Sequence, residues 1–280
     1  MAGKLRYSGV IPYLHFFGLS LPTFGLMLWL AAVTAALLLH LNFQRNGVVA
    51  DAMTIVAAAT LAGVAGAKVW HELEHPLLLL STLHAFSVEL RSHPAAFFAD
   101  FLDWAKGGFA WFGGLLAGIA VLLWQARAIR MKSLTMLDLA APSAAVGYGI
   151  GRIGCHLSGD GDYGIPTHLP WGVSYANGLV PTFPGVRVHP TPIYEFLFSM
   201  ALGLYLWKRG SHSQPRGRIV GEYLLLAGIG RFLVEFIRIN PKVLLGMTYA
   251  QLGSLGSVIA GCVLIAWSAG KPLEGFSLAD

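Results

Sequence analysis

Seven long apolar runs constrain this chain more than any other feature. They lie at about 20–42, 52–71, 109–127, 135–157, 191–208, 218–239 and 247–268. Each is close to the ~20 residues that an α-helix needs to cross a bilayer. The spacing predicts an all-α membrane protein of about seven transmembrane helices. Charged residues are only 12% of the chain, about half the usual quarter, which excludes a soluble enzyme, a disordered chain and a coiled coil. No stretch between the runs is long or polar enough for a separate soluble domain, so residues 1–280 read as a single integral membrane domain. The longest intervening segments, 72–108 and 158–190, read as an outer-face arm and a small cap. Lys4 and Arg6 precede a run of full span length without a clear cleavage site, so no cleavable signal peptide is expected.

Basic residues set the orientation. Arg45, then Arg127, Arg130 and Lys132, then Lys208, Arg209, Arg216 and Arg218, then Lys271 fall in short, dense loops and read as cytoplasmic. Lys4, Arg6, Arg91, Lys106, Arg187 and Lys242 are spread over longer segments on the other side. The N-terminus is then outside, together with the arm and cap. The net charge of +5 therefore reflects topology and implies no nucleic-acid partner.

Charges within apolar runs are costly and tend to be functional. Lys68, Arg152, Arg231, Asp138, Glu195, Glu222 and Glu235 lie there. At 1.5 Å per residue, Arg231 stands roughly 20 Å, and Arg152 and Lys68 roughly 26 Å, above the cytoplasmic ends of their runs. With Glu195 they converge on one outer-leaflet layer. Arg231, Glu235 and Arg238 share a helix face. Cations outnumber carboxylates in this reading, leaving a positive site suited to a phospholipid phosphate, which arginine can grip with a bidentate fork. Packing alone explains most of the small-residue spacings, such as Gly147 with Gly151. The run Ser158–Gly164 is a turn-rich loop whose backbone N–H groups could approach an anion.

Several residues then point to a family. Gly151-Arg152-Ile153-Gly154-Cys155-His156-Leu157-Ser158-Gly159-Asp160 resembles the signature G-R-x-G-N-F-x-N-G-E of the prolipoprotein diacylglyceryl transferases. His189-Pro190-Thr191-Pro192-Ile193-Tyr194-Glu195 is similar to its H-P-[ST]-Q-L-Y-E, and Arg231–Arg238 to its R-x-x-x-E-F-x-R. Weaker similarities are Phe24-Gly25-Leu26-Met27 and Gly113-Gly114-Leu115-Leu116. The resemblance implies an enzyme of the bacterial inner membrane, needing no cofactor. It would move the diacylglyceryl group of phosphatidylglycerol to the lipobox cysteine of a preprolipoprotein, with glycerol phosphate leaving. It places Arg152 and Arg231 on the phosphate; Lys68, by its depth, and Arg238, by its place on the Arg231 face, are the further phosphate-binding candidates. Glu235 would orient Arg231, and Glu195, Tyr194, Gly154 and Gly164 would support the site. The sequence departs from the family at Phe24 and Phe112, where the family has Tyr and His, and one residue is inserted between Gly159 and Gly164.

With Phe112 unable to take a proton, the acceptor for the thiol proton must lie elsewhere. His156 is the first candidate, His189 the second, and Asp160 or Asp162 the third. Cys155 reads as a small packed residue, because a thioether formed on it would be a poor leaving group. Two other functions remain open. His71-Glu72-Leu73-Glu74-His75 fits the zinc-peptidase pattern H-E-x-x-H. A non-catalytic protein that binds anionic phospholipid, or a paralogue with another acceptor, would keep the cationic pocket. In the cap, Trp171–Tyr175 reads as a strand, and the arm as short helices on the membrane surface.

Overall fold

The computed structural model describes residues 9–16, 18–210 and 214–272. Lys4 and Arg6 lie outside the described residues, as does the side chain of Lys106. A helix occupies each of the seven apolar runs. These are α1 (Thr23–Arg45), α2 (Ala52–Glu74), α5 (Trp111–Ala128), α6 (Ser133–Ser158), α7 (Thr191–Arg209), α8 (Arg218–Val234) and α9 (Tyr249–Ser268). Between α2 and α5 lie α3 (Pro76–Ser92) and α4 (Pro94–Lys106). Four of them, α1, α2, α5 and α9, are long and apolar enough to cross a membrane. In each of the four, at most 17% of the most apolar stretch is buried within the protein. Such helices need an apolar solvent around them.

Two details depart from the sequence reading. The first run opens with a hairpin, β1 (Tyr13–Phe16) against β2 (Leu19–Pro22), antiparallel with Tyr13 opposite Pro22, and α1 starts only after Pro22. Apolar residues at both strand and helix positions hid that boundary. The sixth run ends in a 3-10 turn, Glu235–Ile237, so the α-helical part is shorter than the apolar run.

The described residues fall into two compact units. One is built from the chain up to Ala52 and from Lys132 onward, the other from Met53–Met131. In the first unit α6 is central, packing against α1, α7 and α8, while α8 also packs on α9. Helix ends follow local chemistry. Pro192 sits in the first turn of α7, where its missing N–H costs nothing. Thr248 and Gln251 form a reciprocal capping box on α9. Gly159 ends α6 with φ of 59°, where a Cβ would also meet Gly178 Cα at 2.7 Å. Asp138, deep in α6, accepts from the backbone N–H groups of Gly217 (2.6 Å) and Val220 (2.8 Å), capping the start of α8 from the neighbouring helix. Glu222 accepts from Arg218 Nε at 2.7 Å and from Tyr205 at 3.1 Å. Both carboxylates are buried and serve helix packing.

In the second unit α3 and α4 contain no buried residue among those described and share an aromatic cluster of Phe86, Phe97, Phe101 and Trp104. Short helices are what the arm reading expected. The cap is extended but not a full strand. Val173 bridges Val188, Pro166 bridges Val188, and Trp171–Tyr175 goes no further, since Pro170 and the turn at Thr167–Gly172 interrupt the pairing.

Candidate functional site

At one end of the first unit, three segments bring their charges together. Arg152 arrives from the last turns of α6, Glu195 from the first turns of α7, and Arg231, Glu235 and Arg238 from α8 and the turn after it. The loop after α6 adds Asp162. Gly164 lets this loop come close: a Cβ there would stand 2.4 Å from Ile237 O, and Gly164 bridges Arg238.

Glu195 is the hub. It is 6% exposed. Its Oε2 accepts from Arg152 Nη2 at 2.5 Å and lies 3.5 Å from Arg238 Nη1. Its Oε1 accepts from Tyr148 (2.6 Å) and lies 3.3 Å from Arg231 Nη1. Asp162 receives Arg152 Nη1 and Arg238 Nη2. Glu235 pairs with Arg231 Nη2 at 2.8 Å and accepts from Asn240 and Thr248. The Glu235–Arg231 contact joins two residues of one family-like motif, four positions apart. The expected surplus of positive charge is corrected, however. Three guanidinium groups are matched by three carboxylates, because the loop returns Asp162 to the cluster. Two donors of the cluster, Arg152 Nε and Arg238 Nε, are buried without a hydrogen-bond partner among the described residues, the latter 3.6 Å from Glu235 Oε2. Buried donors are nearly always paired, so an orphan of this kind marks capacity for an acceptor.

Lys68 is elsewhere. In the second unit its ammonium pairs with Glu72 at 2.9 Å and donates to the carbonyls of Trp104 (2.7 Å) and Gly107 (2.8 Å). It serves the carbonyl-rich end of α4. In the H-E-x-x-H run, α2 ends at Glu74 and His75 follows as the cap residue of α3. The His71 and His75 rings stay 5.0 Å apart, with Glu72 held by Lys68. Among the described residues, Cys155, Asp160 and Asp162 are the three metal-capable side chains that meet, with ligand atoms within 4.8 Å. Arg152 donates to both Cys155 Sγ (3.5 Å) and Asp162, so a cation already serves that space.

The proton-handling candidates have distinct surroundings. His156 Nδ1 lies 2.8 Å from the hydroxyl of fully buried Tyr175. Burial and the neighbouring Asp162 push the Asp160 carboxyl up from its ordinary value. Burial would do the same to Asp162, but Arg152 and Arg238 outweigh it and hold that carboxyl well below the usual range. Asp162 is thereby held in its ionised form by the two arginines it pairs with. His189 belongs to a directed chain. The indole N–H of Trp171 can only donate, and it donates to Tyr194 Oη at 2.8 Å. The Tyr194 proton is then free to go to His189 Nδ1, 3.2 Å away. In that tautomer Nε2 carries the hydrogen, making His189 a donor. Gly154 has a packing role: a Cβ there would meet Met27 Cβ at 3.0 Å and Phe24 Cδ2 at 3.2 Å.

Sequence reasoning missed Tyr148, Tyr175 and Thr191, whose hydroxyl donates to Asp162 O. Tyr148 was findable, since it lies one turn before Arg152 on the same face. Tyr175 was not, because only the fold of the cap brings it to His156.

Lipid-facing helices and a buried arginine–carboxylate cluster define a membrane protein with an ion-pair site at the end of a helix bundle. A family model described as prolipoprotein diacylglyceryl transferase matches residues 12–267, and the chain belongs to that family. A relative from Clostridium tetani, named phosphatidylglycerol–prolipoprotein diacylglyceryl transferase, is 30% identical over 88% of this chain and 92% of its own length. One from Clostridium perfringens, with the same name and the number 2, is 29% identical over 89% and 91%. One from Leptospira interrogans is 38% identical over a shorter stretch, 49% of this chain and 43% of its own.

Proposed function

We propose that this chain transfers the diacylglyceryl group of phosphatidylglycerol to the lipobox cysteine thiol of a prolipoprotein. It would act as one integral domain of the bacterial inner membrane, with seven spans, the N-terminus outside and the site facing the periplasm. The single observation that carries the reading is the arginine cluster with its buried, unspent Arg152 Nε, in a chain of this family. The sulfur bonds to the glyceryl carbon while that carbon's bond to the phosphate oxygen breaks. The electron pair leaves with the phosphate, and the thiol proton goes to a base. Charge grows on the departing phosphate, so donors aimed at it stabilise the transition state more than the substrate. Arg152 and Arg231 supply those donors, with Arg238 behind them.

His156 takes the proton. In the tautomer whose Nδ1–H donates to the Tyr175 hydroxyl, 2.8 Å away, the Nε2 lone pair is free to accept it. His189, in the tautomer that accepts from Tyr194 and carries its hydrogen on Nε2, holds a phosphate or glycerol oxygen. A second reading gives the proton to Asp160, favoured by its raised pKa beside an ionised carboxylate. The test follows transfer from phosphatidylglycerol to a lipobox peptide by mass, across pH. His156→Ala should lower the rate at every pH with lipid binding retained. If Asp160 is the base, the rate must instead fall as pH drops through its raised value, and Asp160→Asn must abolish transfer. No added diacylglyceryl on any acceptor, with phosphatidylglycerol still bound, would leave a lipid-binding protein in place of a transferase.

A further inference from the structure

Every arginine of the cluster reaches the same carboxylate. Glu195 takes one N–H each from Arg152, Arg231 and Arg238 at 2.5 to 3.5 Å, plus the Tyr148 hydroxyl. It stands in the first turns of α7, where the positive end of the helix favours an anion. Its two oxygens occupy the donors that a phosphate would want. We propose that Glu195 is an internal counter-anion that competes with phosphate for these arginines and so discriminates against the more highly charged product. This rests on the transferase reading above.

The reasoning is electrostatic. The substrate phosphate is a diester with one negative charge. The product phosphate is a monoester whose second proton leaves near pH 6, so above that pH it carries about twice the charge. Three guanidiniums alone would hold the product more tightly than the substrate, and the site would clog. A fixed carboxylate repels each ligand in proportion to its charge, so its penalty falls mainly on the product. Asp162 and Glu235 cannot do this as well. Asp162 touches two of the arginines, and Glu235 is tied to Asn240 and Thr248.

The experiment uses the full chain in detergent at pH 8 and measures binding of glycerol phosphate and of glycerophosphoglycerol, the deacylated diester headgroup. Wild-type protein is expected to bind the two within about threefold despite their difference in charge. Glu195→Gln, which keeps the shape and removes the charge, should bind glycerol phosphate about tenfold tighter, with a smaller gain for the diester. Equal or weaker binding of glycerol phosphate by Glu195→Gln would reduce Glu195 to a clamp. Should that variant not fold, the wild-type ratio still decides: a tenfold preference for glycerol phosphate overturns the proposal. Transfer is assayed in parallel. Absence of transfer by wild type defeats the transferase reading, whereas transfer with an unchanged Glu195→Gln affinity defeats only this inference.

Discussion

Arg152 and Arg231 differ in what surrounds them, and so should respond differently to substitution. The Arg152 side chain is 10% exposed and neutralises two carboxylates. Arg152→Gln removes a charged partner from each while Arg238 still reaches both, and should destabilise the protein by about 2 kcal/mol as well as stop transfer. Arg231 is 26% exposed. Arg231→Gln should melt within a few degrees of wild type yet transfer on the order of 100-fold more slowly, the cost of one transition-state donor. Thermal denaturation beside the transfer assay checks both, and full activity in either variant would remove the phosphate clamp. Asp162 adds a pH signature. Its folded pKa lies below the unfolded value of about 3.9, so the stability it contributes is present above that value and is lost as pH falls through the folded one. Asp162→Asn should therefore lower the melting temperature at pH 7, and the gap should close as both proteins are taken below pH ~4.

At the level of elements, the helices were legible because hydrophobic run length is a direct consequence of bilayer thickness. All seven runs contain one. Arg152, Arg231, Glu195 and Glu235 were legible for the same reason: a charge in an apolar run has to be paid for by a partner. What the sequence could not disclose were long-range returns. Asp162 reaches Arg238 across 76 residues, and no local pattern predicts a loop folding back to neutralise a site. The hairpin Tyr13–Pro22 was hidden because strand and helix both used apolar residues there. The contacts of Lys68 with Glu72 and with the carbonyls of Trp104 and Gly107 were likewise beyond a depth count along the helix. The loop's return depends on Gly164. In Gly164→Ala the new Cβ would press on Ile237 O, and on His189 and Thr191 at 3.0 Å. Backbone cannot yield as a side chain does, so this variant should lose about 1–3 kcal/mol and, by moving Asp162, most transfer activity. Wild-type stability and rates would show that the loop has room the geometry denies.

For the whole molecule, the proposed topology can be read by labelling. With Cys155 and Cys262 replaced by serine, Phe183→Cys in the exposed cap should react with an impermeant maleimide on intact spheroplasts. Lys132→Cys, at the start of α6, should react only after lysis. The reverse pattern would invert the protein in the membrane. The two ends of α6 have one more consequence. Asp138 holds the start of α8 near one end, and Arg152 meets Glu195 and Asp162 near the other. The fourteen residue steps from one to the other rise roughly 21 Å. That segment works as a gauge rod. The reaction height is fixed by a helix pinned at both ends and not by the surrounding lipid, so growth in a thicker or thinner bilayer should tilt the lipid-facing helices while the arginines stay level with one another.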